Sequence, residues 1–214
     1  MYNFSNFIVL KQDSLEKEFC EHVIDKFEKD DRKMAGVVGT TAHINTDLKR
    51  STDLSISDLE EWKEEDQTFF DSLAAGIENY AEQDFLKELS FDEEQTGEIS
   101  LLYAPMQDTG YNIQRTKPGE YYKWHHDWTH SKNSGSRVMT YIWYLNDIIK
   151  GGGYTDFLDG TRITPKQGTL LMFPATWNYY HRGFPPEEET KYISTGWLYH
   201  SWDNAFKPES EKLD

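Results

Sequence analysis

From residue 99 onward the chain is cut into short runs rich in β-branched and aromatic residues, separated by Gly, Pro and Asp. The runs fall at 99–104, 111–117, 121–128, 137–146, 154–158, 161–163, 169–174, 177–182 and 191–200. Each is strand-sized, and about eight strands at this spacing must hide one face each, which a sandwich or double-sheet jelly roll does. Asp159-Gly160 between two runs is a hairpin signal. Residues 1–98 read differently. A short strand over 2–10 ends in Phe7-Ile8-Val9-Leu10. Asp13 and Glu16 have the spacing of a capping box, ahead of Leu15, Phe19, Val23 and Phe27, which predict an amphipathic helix to about residue 29. Ser57 and Glu60 repeat the box. Leu59, Trp62, Phe70, Leu73, Ile77 and Tyr80 or Ala81 then predict a second helix to about residue 89. The expected fold is mainly β with N-terminal helices (α+β): a double-stranded β-helix (jelly-roll) core over 99–200, buttressed by two or more helices in a support and substrate-loop region over 1–98. The chain 1–214 is expected to form one domain.

Trp124-His125-His126-Asp127-Trp128 carries the first chemical signal. In an extended chain residues i and i+2 share a face, so His125 and Asp127 project together and His126 points away. A histidine from another strand completes a 2-His-1-carboxylate set, the arrangement that holds one face of an octahedral metal and leaves the other open. His181, in Tyr180-His181-Arg182, is the candidate. Alone, His-x-Asp is common, and Asp127 has the plainer reading of a turn carboxylate. Ten residues past His181, Lys191 sits in the apolar strand Thr190-Lys191-Tyr192-Ile193-Ser194-Thr195-Gly196-Trp197. A lysine there either snorkels outward or is buried against an anion. The second terminus of a dicarboxylate that chelates the metal with its first would be such an anion.

This set resembles the Fe(II)/2-oxoglutarate-dependent oxygenases, and most closely their prolyl 4-hydroxylase-like branch. The resemblance covers roughly residues 100–200. Arg137 to Asn146 looks like the family's core strand ending in Tyr144-Leu145-Asn146. Gly152-Gly153-Tyr154-Thr155-Asp156-Phe157 matches its Gly-Gly-x-Thr-x-Phe strand, and Pro165-Lys166-Gln167-Gly168-Thr169-Leu170-Leu171-Met172-Phe173 its Pro-x-x-Gly turn and strand. The resemblance implies Fe(II) on His125, Asp127 and His181, with 2-oxoglutarate and dioxygen as cosubstrates and ascorbate as a reductant. It puts the 2-oxoglutarate tail on Lys191 and the Tyr144 hydroxyl. Thr116 stands where the branch often has a Tyr, so a shorter hydroxyl contact is expected there, or none. Trp197 corresponds to a Trp that packs on the target proline. Arg137 corresponds to an Arg placed on the substrate peptide, and otherwise reads as a surface residue at a strand end. The implied reaction is hydroxylation of a prolyl residue in a peptide or protein, with release of succinate and carbon dioxide. The alternatives are hydroxylation of another side chain or a free small molecule, and a jelly-roll module that only binds.

The formal net charge of −16 argues against a nucleic-acid partner, since phosphate contacts need a basic surface. A single cysteine, Cys20, excludes an intrachain disulfide and fits a reducing compartment. With neither a signal-peptide pattern nor an apolar run of about 18 residues, the expectation is a cytoplasmic protein without a membrane partner. Oligomeric state is open. Cys20 reads as a core residue and His22 as a solvated one. Residues 30–56 read as a long loop with extended pieces, either a solvated connection or a mobile cover over the substrate. His43 in it has no partner at ligand spacing. His126 and His130 are four apart, but in strand and turn rather than helix, and are not expected to bind metal. Trp124, Trp128, Trp143, Trp177, Tyr179, Tyr180 and Tyr199 read mostly as packing.

Overall fold

The computed structural model describes residues 7–39, 42–81, 83, 106–131 and 135–200. The run at 99–104, the start of the strand over 2–10, the end of the second predicted helix and the tail from Lys207 lie outside the described residues. In chain order the elements are β1 (Val9–Lys11), α1 (Lys17–Lys29), β2 (Met34–Ala35), β3 (Val37–Val38), β4 (His43–Ile44), β5 (Thr52–Ser55), α2 (Lys63–Ala81), β6 (Met106–Asp108), β7 (Asn112–Thr116) and β8 (Tyr122–His125). β9 (His130–Ser131), β10 (Gly135–Tyr144), β11 (Thr155–Phe157), β12 (Arg162–Ile163), β13 (Leu170–Pro174), β14 (His181–Gly183) and β15 (Lys191–His200) follow. Among the described residues the larger sheet runs β1-β13-β10-β15-β7-β5-β2, with β6 also on β15 and β9 on β10. The smaller runs β12-β11-β14-β8, and β3 pairs β4 separately. Every pairing is antiparallel. The fold is thus mainly β, with the helices on one side.

Alternation along the strands of the larger sheet separates two environments. Met139, Tyr141 and Trp143 of β10, Leu170 and Met172 of β13, and Ile113 of β7 face the helices and form one core with them. Their neighbours Thr140 and Ile142 of β10, Gln114 and Thr116 of β7, and Lys191, Ile193, Thr195 and Trp197 of β15 line the space between the sheets. A sheet covered on both faces loses the simple apolar-polar alternation, which explains the almost continuous burial of β10.

Helix α1 buries Cys20, Val23 and Phe27, as its spacing predicts. Glu18 in its first turn and Lys26 and Lys29 in its last suit the helix dipole. The Lys33 ammonium donates to the carbonyls of Phe27 and Glu28, satisfying end groups that the helix cannot. Neither capping box forms. Glu16 is the N-cap of α1 and makes no side-chain cap bond, because the chain before it is held instead by the Gly168 carbonyl, which accepts from the amides of Ser14 and Leu15. Ser57 accepts from the Tyr111 amide across 54 residues, so a tertiary contact takes the hydroxyl from the helix. In α2 the buried stripe is Phe69, Leu73 and Tyr80, while Phe70 is half exposed, one position off the predicted stripe. Phe69 meets Phe19, Tyr111 and Trp143 at ring-centroid distances of 5.3, 5.3 and 5.2 Å. Gly76 lets α2 approach β13: a Cβ there would run into Leu170. The Trp143 indole N–H reaches Ser72 of α2 at 3.0 Å, so the helix–sheet contact carries a satisfied polar bond. Cys20 is fully buried, and burial pushes its thiol up to about 11, which leaves it an unreactive core group. No helix among the described residues is long and apolar enough to cross a membrane.

The one-position shift on α2 is testable. Phe69→Ala should destabilise the protein by about 3–5 kcal/mol through lost burial and a cavity, and Phe70→Ala by less than about 1 kcal/mol. The comparison is urea unfolding of both variants beside the parent protein.

Candidate metal centre

His125 ends β8 and His181 opens β14, and the two residues are register partners in the smaller sheet. Asp127 follows β8 by two residues. Candidate ligand atoms of His125, Asp127 and His181 all lie within 4.8 Å of one another, the one such cluster among the described residues. His125 Nε2 is 3.7 Å from Asp127 Oδ1, and His181 Nε2 is 3.5 Å from Asp127 Oδ2. Donors at right angles on a metal at about 2.1 Å stand about 3 Å apart, so the three groups would have to draw closer together to share one ion.

The surroundings fix how each group is presented. His125 Nδ1 meets the Lys123 carbonyl at 2.7 Å, and His181 Nδ1 meets the Tyr179 carbonyl at 3.0 Å. A carbonyl only accepts, so each Nδ1 carries a proton and each Nε2 faces the centre. Burial pushes the His125 ring down to about 3, the nearby His181 adding to this and Asp127 opposing it, so the imidazole is neutral and ready to ligate. Burial alone would raise Asp127. The His181 and His125 rings and the Thr140 hydroxyl, which donates to Oδ2 at 2.7 Å, outweigh it and hold the carboxylate below its usual range.

A cavity between the sheets opens beside this cluster, and Thr116, Thr155, Lys191 and Trp197 line it with the three centre residues. Lys191 and Thr116 are register partners on β15 and β7. Lys191 is 5% exposed, and its ammonium lies 5.5 Å from the centre of the Tyr144 ring. No carboxylate among the described residues lies within ion-pair distance of it. Burial pushes the ammonium down to about 8, against the pull of Asp156. Tyr144 is fully buried behind this wall, and its hydroxyl donates to Thr155 at 2.7 Å. Thr155, rather than Tyr144, therefore presents a hydroxyl to the cavity. Gly152, at φ 73°, lets the chain before β11 pass the Pro185 carbonyl, where a Cβ would clash. The Arg137 guanidinium stacks 3.6 Å from the centre of the Trp197 ring and faces a groove of about 530 Å³ beside the centre. Burial lowers the Arg137 pKa, with Asp127 and Tyr122 opposing.

His126 and His130 stand apart from the cluster: His126 packs edge-on against Tyr180, and His130 Nδ1 meets Ser136 Oγ at 3.0 Å. His43 lies on β4, exposed. His22 is more than a solvated residue, since its Nε2 is 2.6 Å from Glu65. Sequence reasoning missed Tyr122, whose ring stacks on His125 with centroids 3.5 Å apart. Simple alternation puts residue 122 on the face opposite 125. The register of β14 against β8 shifts between His181–His125 and Gly183–Tyr122, and this bulge turns Tyr122 to the same side. It also missed Thr140 and Thr155, which give no signal before their partners are known, and Lys49, which lines both the cavity and the groove.

The model of the 2OG-Fe(II) oxygenase superfamily matches residues 111–199, which hold every one of the centre and cavity residues above except Lys49. No curated protein matches the chain. Among solved structures, a viral collagen prolyl hydroxylase of Paramecium Bursaria Chlorella virus-1 in its 2OG complex is similar at 19% identity and a TM-score of 0.61, over 91% of this chain and 96% of that one. A prolyl-4-hydroxylase of Pseudomonas putida is similar at 14% identity and a TM-score of 0.63, over 91% and 93%. A prolyl hydroxylase of Trichoplax adhaerens, in complex with a hypoxia inducible factor peptide fragment, is similar at 15% identity and a TM-score of 0.70, over 91% and 84%. At these identities the likeness shows the fold alone, one shared with prolyl hydroxylases of known structure. The chain resembles the 2OG-Fe(II) oxygenase superfamily and its prolyl 4-hydroxylase-like branch.

His125→Ala, Asp127→Ala and His181→Ala should each weaken Fe(II) binding by more than about a hundredfold, since each removes a full ligand. His126→Ala and His130→Ala should bind as the parent does. Anaerobic Fe(II) titration checks this, and equal loss in His126→Ala would refute the face assignment.

Proposed function

We propose that this protein is an Fe(II)- and 2-oxoglutarate-dependent dioxygenase that hydroxylates a prolyl residue in a peptide or protein, releasing succinate and carbon dioxide. The observation that carries the reading is Lys191. A buried ammonium without a carboxylate partner is costly, and the cavity that it lines leads to two imidazoles and a carboxylate within reach of one another. A dicarboxylate that meets the centre at one end and Lys191 at the other satisfies both features. The donor set suits Fe(II), because two imidazoles and a carboxylate leave half of an octahedron open.

When bound, iron and 2-oxoglutarate supply the oxidising chemistry, in which decarboxylation of the cosubstrate is coupled to hydroxylation of a substrate C–H bond. The chain supplies position and environment. Lys191 and the hydroxyls of Thr155 and Thr116 offer three donors to one carboxylate, a charge-assisted set in a site closed by both sheets. Tyr144 acts through Thr155: by donating to the threonine oxygen it leaves the threonine proton for the ligand. Thr140 occupies Asp127 Oδ2 and leaves Oδ1 for the metal. Arg137 and Trp197 form one wall of the groove beside the centre, a flat aromatic face backed by a cation, which suits a pyrrolidine ring and a neighbouring carbonyl. The likeness to prolyl hydroxylases supports the same substrate.

The decisive experiment is incubation of a peptide library with protein, Fe(II) and 2-oxoglutarate, read by mass spectrometry for the gain of one oxygen atom. The gain should fall on proline. A gain on another residue would keep the oxygenase and overturn the prolyl assignment, and succinate formed without any peptide would point to a small-molecule substrate.

Lys191 gives a second test. Lys191→Ala should weaken 2-oxoglutarate binding by about two to three or more decades, since breaking a buried charged pair costs roughly 3–5 kcal/mol. Tyr144→Phe should have a smaller effect, because it removes one hydrogen bond behind Thr155. The pH dependence follows from the pKa of about 8 in the free protein. A bound carboxylate raises that value, so above pH 8 binding must take up a proton. Affinity should be level up to about pH 8 and then fall about tenfold per pH unit. In Lys191→Arg, where the cation stays charged, it should remain level. Titration calorimetry on protein loaded with a redox-inert divalent metal, without oxygen, measures all of these. Parent-like affinity in Lys191→Ala would remove Lys191 from the site.

A further inference from the structure

Residues 48–55 cross from one sheet to the other beside the metal centre. Residues 48–50 extend the smaller sheet. Lys49 bridges Tyr122 in antiparallel pairing, the Arg50 amide donates to the Tyr121 carbonyl at 2.7 Å, and the Lys123 amide donates to the Leu48 carbonyl at 2.8 Å. Two residues later β5 pairs with β7 of the larger sheet. At this crossing the Lys49 side chain turns inward and is 5% exposed. Its ammonium donates to Asp53 Oδ2 at 2.7 Å, and Asp53, 8% exposed, also accepts from the Ser51 hydroxyl at 2.6 Å. The same ammonium lies 5.2 Å from the centre of the Tyr122 ring, and Tyr122 lies 3.5 Å from His125 at an interplanar angle of 15°. Cation, phenol and imidazole thus form a column that ends on a candidate ligand.

We propose that Lys49 is a positioning residue for the metal centre, acting through Tyr122: held by Asp53, it clamps the phenol ring against His125 and sets the plane of that imidazole. The inference rests on His125, Asp127 and His181 binding a metal. A buried ion pair contributes little net stability compared with apolar residues of the same volume, so its effect here is on geometry. The cation–π contact favours one placement of the Tyr122 ring, and a stacked phenol leaves the imidazole little freedom to tilt about its Nδ1 bond to Lys123. The column also explains how segment 48–55, far in sequence from both histidines, takes part in the site.

Co(II), whose visible bands report ligand geometry, is the probe. The full chain carries Lys49→Met, Tyr122→Leu, or both. Lys49→Met and Tyr122→Leu should each weaken Co(II) about tenfold and shift its bands, the scale on which groups supporting a metal ligand act. The double variant should bind no more weakly than Tyr122→Leu alone, because Lys49 then has nothing to act through. Lys49→Met leaves Asp53 buried without its partner. Lys49→Met with Asp53→Asn removes that charge and should show the same weakening and band shift. Parent-like Co(II) affinity and bands in this charge-free pair overturn the proposal, as do losses that multiply in the Lys49/Tyr122 double variant. Failure of the parent protein to bind Co(II) would instead overturn the metal reading on which the inference rests.

Discussion

One antiparallel register governs the rest of the site: His181 of β14 opposite His125 of β8. Side chains alternate along a strand, so a slip of one residue would send His181 to the outer face and bring Arg182 inward. The outer face makes that slip expensive. Arg182 and Arg162 both bind the Asp156 carboxylate, at 2.9–3.0 Å for Arg182 and 2.6–3.1 Å for Arg162, and Arg182 also stacks 4.8 Å from the Trp124 ring. On the inner face Phe157 and Phe173 pack on the His181 ring, with centroids 5.8 and 4.8 Å away. An ionic clamp outside and an aromatic one inside select the same register, and with it the geometry of the candidate ligands.

The charge of the cavity wall is opposite to that of the chain as a whole: among the described residues Lys49, Arg50 and Lys191 line it against the carboxylate of Asp127. Beside this cavity the chain, of formal charge −16, buries Lys49 and Lys191 and partly buries Arg137. Lys49 has the Asp53 carboxylate, and Arg137 has the Trp197 ring and the field of Asp127. Among the described residues Lys191 has only the Tyr144 ring and a distant Asp156. Lys49 keeps a counter-charge, while burial lowers Lys191, so Lys191 is the cation left short of an anion among the described residues. In a chain of acidic excess, a cavity wall lined by cations can still draw in a dianion.

The residues that were legible in the sequence are those whose role follows from local spacing. His125 and Asp127 share a face by two-residue alternation, and Lys191 and Trp197 line one cavity because six is even. The β pattern from 111 to 200 gave the strands, although the run at 177–182 contracts to His181–Gly183 behind a turn at 176–179. Features set by tertiary contact were not legible. Ser57 and Asp13 carry capping signals, but Tyr111 and Gly168 compete for the same backbone and side-chain groups. Phe69 rather than Phe70 is buried because α2 is rotated to place Phe69 on Tyr111 and Trp143. Tyr122 needed a bulge, and Lys49 needed the crossing of residues 48–55. The reading of 30–56 as a loop holds between its short strands, but residues 48–55 are hydrogen-bonded into both sheets.

The proposed cosubstrate pocket and the closure of the sandwich are the same physical problem. Thr116 belongs to β7 and Lys191 to β15, both in the larger sheet, while Thr155 belongs to β11 of the smaller one. Tyr144 of β10 reaches across to Thr155, so a single 2.7 Å bond already joins the sheets behind the cavity. A carboxylate received by all three donors would add a second, charged link in front of it. Because chains of hydrogen bonds polarise one another, the Tyr144-to-Thr155 bond makes the threonine hydroxyl a better donor to that carboxylate. Such a ligand binds the folded state alone, so its affinity adds directly to the stability of the sandwich. The proposed anion would thus both compensate the buried lysine and join the walls that enclose it.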